Sequence, residues 1–347
     1  MQNNFTFLRL LFGLLVVVTH SYPLAGVLTG DYLSTITNAQ AEFSYFGLSG
    51  FFIISGYLCF QSLERCNTIG EYYWKRSLRI FPGLFVVLLL TVVLGVFVYE
   101  SSLHDYLLNT SMWKYLPANM TIVRQQVAID GIFTHNPYNS AINGSLWSLE
   151  YEVIFYIWLS VLFFFPRKAK MIILGVALIV LLTSYIFFMD KVGAHKYMFL
   201  NGRLMLEFGP YFFAGALMSL FKMEEIRQRA LLTIILAILL VFAFYLNYFT
   251  PAKFFLLPPL VLLIGTATAA KPVAWMMQKT EDMSYGIYIY AFPIQQTLMH
   301  FFNFSSLQLM IPSLMLSIIA GYASWHWIEK RCLRYKNLSW SKVPGNK

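Results

Sequence analysis

The chain is a succession of long apolar runs separated by short polar breaks. A helix needs about 20 largely apolar residues to cross a bilayer. Ten stretches qualify: 5–23, 43–62, 80–99, 145–165, 170–189, 204–221, 230–249, 253–270, 283–302 and 308–328. They predict an all-α, polytopic bundle of ten transmembrane helices. The break at 100–144 is longer, polar and interrupted by Pro117 and Pro137, and is expected as an external loop with interfacial helices. Residues 1–330 form the expected membrane domain and 331–347 a short basic tail. No stretch before the first run or after the last suits a soluble domain. Met1 to Asn4 lacks the cationic segment that opens a signal peptide, so the first run is expected to be retained.

Composition sharpens this picture. Of 347 residues, 58% are hydrophobic, 18% aromatic and only 12% charged, with a mean hydropathy of +0.62. Soluble domains carry about 25% charged residues. So little charge cannot coat a particle of this size, which excludes a soluble enzyme, a disordered tail and a secreted disulfide scaffold. The net charge of +9 is not taken as a sign of nucleic acid. In a membrane protein, excess cations mark cytoplasmic loops. With the N-terminus inside, inside segments hold 18 Lys and Arg and outside segments 6, while Arg9 falls within the first span. That bias predicts both termini in the cytoplasm, with membrane lipid as the surrounding partner. Cys59, Cys66 and Cys332 lack metal or redox spacing and are expected as unpaired thiols. No metal is expected.

Ionisable residues inside a span cost at least a few kcal/mol on insertion scales, so they are functional candidates. Arg9 and His20 interrupt the first span 11 residues apart. That is close to three helical turns, which puts both on nearly one face, about 16 Å apart along the axis. A shared polar stripe predicts a lined cavity. Glu150 and Glu152 enter the fourth span at a depth similar to His20. Two residues apart means about 200° of rotation, so only one carboxylate can face that cavity. A His and a carboxylate at matched depth are the parts of a general-base pair. Lys75, Arg76 and Arg79 follow the second span, and Arg76 and Arg79 project together at i, i+3. Two readings stand: a bidentate grip on phosphate, or a positive-inside or lipid-headgroup cluster. The second span carries Gly47, Gly50 and Gly56 with Ser49 and Ser55. Small residues suit close helix packing. The alternative is a groove for a slender ligand, lined from Ser49, Gly50, Phe52 and Ser55.

Together these segments resemble the acyltransferase 3 family, integral-membrane acyltransferases that decorate bacterial surface sugars. Arg9 and His20 match its Arg-x10-His first span, and Gly47 to Leu58 its Gly- and Phe-rich second span. Arg76-Ser-Leu-Arg79-Ile-Phe-Pro82 is similar to its RxxR-Ile-x-Pro segment. Asn143, Gly144, Leu146, Trp147, Ser148, Leu149, Glu152, Phe155 and Tyr156 match a further block, and Ser284, Tyr285, Gly286 and Tyr288 a last one. A histidine common after that last block is missing at Tyr290-Ala291-Phe292-Pro293, and the appended esterase domain of some members is not expected here.

The resemblance implies transfer of an acyl group, usually acetyl, from cytoplasmic acetyl-CoA or another acyl-CoA to a hydroxyl of a saccharide or lipid-linked saccharide, at a bacterial cytoplasmic membrane. It implies that Glu152 is the family glutamate, with Glu150 second to it. His20 would take the hydroxyl proton and Glu152 would orient it. Arg9, Arg76 and Arg79 would hold the donor. Asn143, Trp147, Ser148, Glu150, Tyr156, Tyr285 and Tyr288 are further candidates for the cavity. Direct attack and an acyl-enzyme route are both open. Arg203 and Glu207 are expected to pair at i, i+4; His104, His135 and His195 are expected in solvated loops; His300 and His326 are expected at span ends; Glu329 is expected to brace the cation cluster. The rival function is a transporter or flippase of lipid-linked sugar or a small solute. Oligomeric state stays open.

Overall fold

The computed structural model describes residues 3–123, 125–139, 141–197 and 200–337. Arg124, Lys342, Lys347 and most of the expected tail lie outside the described residues. Among the described residues, each of the ten apolar stretches falls on a helix. We number these helices α1 (Phe5–Leu24), α2 (Phe43–Glu64), α3 (Ile69–Val98), α4 (Trp147–Ser160), α5 (Arg167–Val192), α6 (Gly202–Met218), α7 (Arg229–Tyr245), α8 (Phe249–Thr266), α9 (Ser284–Phe302) and α10 (Ser306–Ser324). The break at 100–144 holds two short helices, Leu103–Leu108 and Thr110–Met120. Among the described residues the protein is helical apart from one hairpin of two-residue strands, Lys196–Tyr197 with Leu200–Asn201, and two isolated bridges, Asn3 with Thr268 and Tyr99 with Ile132.

Among the described residues, seven helical segments are long and apolar enough to cross a membrane: α1, α2, α3, α4 with its flanking turns, α5, α8 and α10 with its continuation. The sequence led us to expect ten. The three that fall short do so for two reasons. The helices α6 and α7 span 17 residues each, about 25 Å at 1.5 Å per residue. The helix α9 is long enough but carries Ser284, Gly286, Gln295, Gln296, Thr297 and His300, which lower its hydropathy because its polar groups face the interior.

Glycine contacts set the interior. The helix α2 packs most extensively on α6 and α1. A Cβ on Gly56 would run into the Phe212 carbonyl, and one on Gly215 into the Ile53 carbonyl, so α2 and α6 touch backbone to backbone. On the other side of α2, Gly47 and Gly50 receive Val16 and Phe12 of α1. The structure thus uses the glycines of the second span for packing. Outside this core, α5 and α7 present Ile172, Val176, Ile179, Ile238 and Val241 outward. Such apolar exposure fits lipid rather than water.

These contacts predict the effect of adding side chains. Gly56→Val and Gly215→Val should each destabilise the purified protein by about 1–3 kcal/mol or more, the usual cost of overpacking. Gly175 has nothing within 4 Å of its Cβ position, so Gly175→Ala should leave stability unchanged or raised. Thermal unfolding in detergent checks both.

Candidate active site

Two cavities are strung along α2. The larger, about 590 Å³, is lined by Arg9 of α1, Leu48 to Ser62 of α2, Lys75 to Ile80 of α3, Ser148 to Tyr156 of α4, Asp282, Tyr285 and Tyr288, and Trp325. Its mouth holds Arg65 and Lys336. On α4, Ser148, Glu152 and Tyr156 recur every four residues, so one face supplies all three. Glu152 accepts from Ser55 at 2.8 Å and from the Tyr156 hydroxyl. Glu150 points elsewhere and accepts from the backbone N–H of Gln125 at 3.3 Å. The 200° rotation between them separates the two carboxylates as expected.

Six cations line this cavity against two carboxylates, Glu152 and Asp282. Asp282 draws two of them together: Arg9 at 2.5 Å and Arg79 at 2.9 Å. Arg79 also reaches Glu329 at 3.5 Å and lies over the Tyr285 and Trp325 rings. A π-helical turn at Trp325–Glu329 puts both partners on the Arg79 side of the chain. Burial alone would raise the Asp282 carboxyl; the Arg79 and Arg9 guanidiniums and the Ser284 hydroxyl outweigh it and hold it below its ordinary value. Arg76 is different. It donates to Cys59 Sγ at 3.1 Å and lies 5.8 Å over the Tyr156 ring. Its Nε is buried without a partner, and among the described residues no carboxylate is in ion-pair reach. The phosphate candidates therefore split: Arg9 and Arg79 are neutralised, and Arg76 is not.

His20 lines neither cavity. Its ring meets the Phe292 edge at 5.4 Å, and its Nδ1 is buried without a partner. No hydrogen bond or ion pair joins His20 to Glu152, which is held by Ser55 and Tyr156. The continuous stripe expected from Arg9 to His20 is not formed either, because Phe12 and Val16 fill the space between them against Gly50 and Gly47. Among the other expected cavity residues, Phe52, Ser55, Ser148, Tyr156, Tyr285 and Tyr288 line the larger cavity, whereas Ser49, Gly50, Asn143 and Glu150 do not. Ser49 and Gly50 are buried in packing. Asn143 instead donates to the Ile289 carbonyl at 2.9 Å. Tyr288 and Ser148 share a 2.7 Å hydrogen bond, and Tyr285 donates to the Ile80 carbonyl at 2.9 Å.

The second cavity, about 480 Å³, is more open and lies where the 28–45 segment meets Trp147, Leu204 and Phe208. Sequence reasoning placed Trp147 in a cavity without distinguishing it from the first. The expected Arg203–Glu207 pair is not formed. Glu207 binds the buried Lys253 and accepts from Tyr45 at 2.6 Å, while Arg203 is exposed. Lys253 wins because the Tyr45 and Tyr185 rings enclose its ammonium at 4.7 and 5.0 Å. His135 is an exposed loop residue, whereas His104, also exposed, lies in the short helix Leu103–Leu108 rather than in a loop. His195 follows α5 and binds the Lys191 carbonyl, His300 packs on Phe133, and His326 binds the Tyr322 carbonyl. Asp282 and Trp325 were missed. Asp282 stands two residues before the Ser-Tyr-Gly block, outside any span, and an acid at that edge facing intramembrane arginines was the available signal.

The acyltransferase 3 family, described as an acyltransferase domain, matches residues 2–326. The chain belongs to that family. It is a membrane acyltransferase. Among its relatives, an "O-acetyl transferase" of Shigella phage Sf6 is 27% identical over 335 residues, covering 96% of each chain. A "Nodulation protein 10" of Rhizobium leguminosarum bv. viciae is 27% identical over 363 residues, covering 96% of this chain and 94% of the relative. No solved structure gives a significant match.

Replacing Asp282 tests the clamp. Asp282→Asn leaves two guanidiniums without their shared carboxylate, at about 1.5–3 kcal/mol for lost hydrogen bonds to charge. Because the folded-state value is depressed, the stabilisation is complete above about pH 4, the ordinary Asp range, and is lost as pH falls through the folded value. Wild-type stability should therefore fall on acidification, and Asp282→Asn should be less stable at neutral pH with a flatter acid profile. Unfolding curves across pH check this.

Proposed function

We propose that this protein transfers an acyl group, most simply acetyl, from cytoplasmic acyl-CoA to a hydroxyl of a surface or lipid-linked saccharide, at the inner membrane of a bacterium. The observation that carries the proposal is Arg76, a buried cation without a carboxylate partner among the described residues, in a cavity that the exposed Arg65 and Lys336 also line. Acyl-CoA is polyanionic and its head cannot enter lipid, so the phosphates would lie against Arg76, Arg65, Lys75 and Lys336. The slender acylated arm would extend toward Ser55, Glu152 and Tyr156. This orientation puts the cavity mouth and both chain termini on the cytoplasmic side, in agreement with the loop cations, and ten crossings place every apolar helix in the membrane.

Transfer forms a C–O bond and breaks the thioester C–S bond. The acceptor proton leaves to a base, and CoA departs as thiolate and is protonated. His20 is the proposed base: its Nδ1 is buried without a partner, which is otherwise costly, and because it lines neither cavity an acceptor hydroxyl would reach it only where the packing on Phe292 opens. Glu152, bound to Ser55 and Tyr156, would set the donor end of the path rather than the imidazole.

Acyl transfer in purified membranes should require acyl-CoA; product formed without it would mean a different acyl donor, and no acylated product with acyl-CoA and acceptor present would support a transporter and end the proposal. His20→Ala should lower transfer by about 10²–10⁴-fold, the usual worth of a general base, with acetyl-CoA affinity retained. Arg76→Ala should weaken acetyl-CoA binding by about 1.5–3 kcal/mol, the range for a charged hydrogen bond. Arg79→Ala should act chiefly on stability, since Glu329 loses its partner and Asp282 keeps only Arg9. Calorimetric binding and unfolding on the same preparations separate the two.

A further inference from the structure

The second cavity differs from the first in charge and in lining. Among the described residues no Lys or Arg lines it, and Glu42 is its one carboxylate. Trp147, Tyr45 and Phe208 give it aromatic surface, while Glu42, Ser44 and Thr29 give it hydroxyl and carboxylate groups. About 480 Å³ lies within the 300–1,000 Å³ range of small-ligand sites. A few placed polar groups beside an amphipathic aromatic surface suit a ring that has hydroxyls on its rim and C–H groups on its face. Absence of cations argues against a phosphate-bearing group.

The walls are braced. Asp31 is fully buried and accepts from Thr19 at 2.6 Å and from the backbone N–H groups of Ser34 and Phe43 at 3.0 and 2.8 Å. Thr19 in turn accepts from the Ser44 N–H at 2.8 Å, so this rim is tied to the residue beside His20. Tyr45 is held by Glu207 and by Tyr211 at 2.8 Å. Glu42 has no cation partner among the described residues.

The two cavities meet. Leu48 lines both, and the Phe52 ring of the first stacks at 5.2 Å on Phe208 of the second. From Ser44 to Ser62 they follow 18 residue steps of one helix, about 27 Å at 1.5 Å per step, close to the 30 Å of the hydrocarbon core.

We propose that this second cavity is the acceptor site, where a neutral, hydroxyl-rich saccharide ring lies against Trp147 with Glu42 and Ser44 holding its hydroxyls. The assignment rests on the acyltransferase reading above and adds to it the place and charge class of the acceptor. The helix α2 is then the rail on which both substrates meet, one from each end, with Leu48 between them.

The test uses full-length protein in nanodiscs free of glycoside detergent. Acetyl-CoA affinity is measured directly. Acceptor use is read as the stimulation of CoA release by methyl glycosides of neutral hexoses, deoxyhexoses and N-acetylhexosamines. Wild type should bind acetyl-CoA and be stimulated by at least one glycoside. Trp147→Ala and Glu42→Gln should each raise the glycoside concentration for half-stimulation about tenfold or more, equivalent to about 1.4 kcal/mol, with acetyl-CoA affinity held within about twofold. Trp147→Phe, which keeps an aromatic face, should fall between wild type and Trp147→Ala. Unchanged glycoside dependence in both variants overturns the site while leaving the acyltransferase reading intact. So does parallel loss of acetyl-CoA affinity in both, which marks a structural role. Wild type that binds acetyl-CoA yet responds to no glycoside overturns the neutral-saccharide assignment. Wild type that binds no acetyl-CoA overturns the function itself.

Discussion

One carboxylate holding two guanidiniums organises this protein. Asp282 sits between Arg9 of α1 and Arg79 of α3, and Arg79 continues to Glu329 beyond α10. Six cations around one cavity repel each other, and an unpaired charge away from water is costly. Pairing at Asp282 and Glu329 removes two positive charges from that balance and ties together segments more than 200 residues apart. What is left is a graded field: neutralised at Arg9, Arg79 and Lys75, the last by Glu71 at 2.7 Å, open at Arg76, and solvated at Arg65 and Lys336. A polyanion entering that field meets its strongest unshared cation well inside the cavity.

The second constraint is steric. Backbone contact at Gly56 and Gly215 locks α2 to α6, and Gly47 and Gly50 lock it to α1. With both flanks of α2 fixed, its remaining face is free to line space rather than fill it. Ser55, Cys59 and Ser62 recur there at helical spacing and give that face a polar edge beside Leu48, Phe51 and Phe52. The glycine-rich span thus serves packing on some faces and leaves a groove on another, because a helix has room for both.

Helices and family were legible in the sequence because both depend on local signals: 20-residue apolar runs, and short motifs in order. So was the parting of Glu150 from Glu152, which follows from 100° per residue alone. Partner choice was not. The i, i+4 rule proposes Arg203 for Glu207, yet Lys253, 46 residues away, takes it because aromatic rings enclose the ammonium there. The pairing of Asp282 was hidden for the same reason, its partners lying 273 and 203 residues distant, although its place at a span edge was a signal. The Arg9–His20 stripe failed through volume: helical phase puts both residues on one face, but Phe12 and Val16 occupy the space between them. Periodicity reports direction and says nothing of what a neighbouring glycine invites into the gap.

That filled gap changes what α1 can do. An open polar shaft from Arg9 to His20 would let water and ions follow the donor through the membrane. The structure has aromatic and aliphatic packing there instead, while the two cavities approach each other one helix away, at Leu48. A thin acyl group can cross a single side chain's width where a solvated phosphate cannot, since the charged head would lose its hydration against Phe52 and Phe208. The arrangement therefore sorts by chemistry as well as by place: polyanion held at one end, uncharged ring admitted at the other, and only the apolar acyl unit suited to the boundary between them.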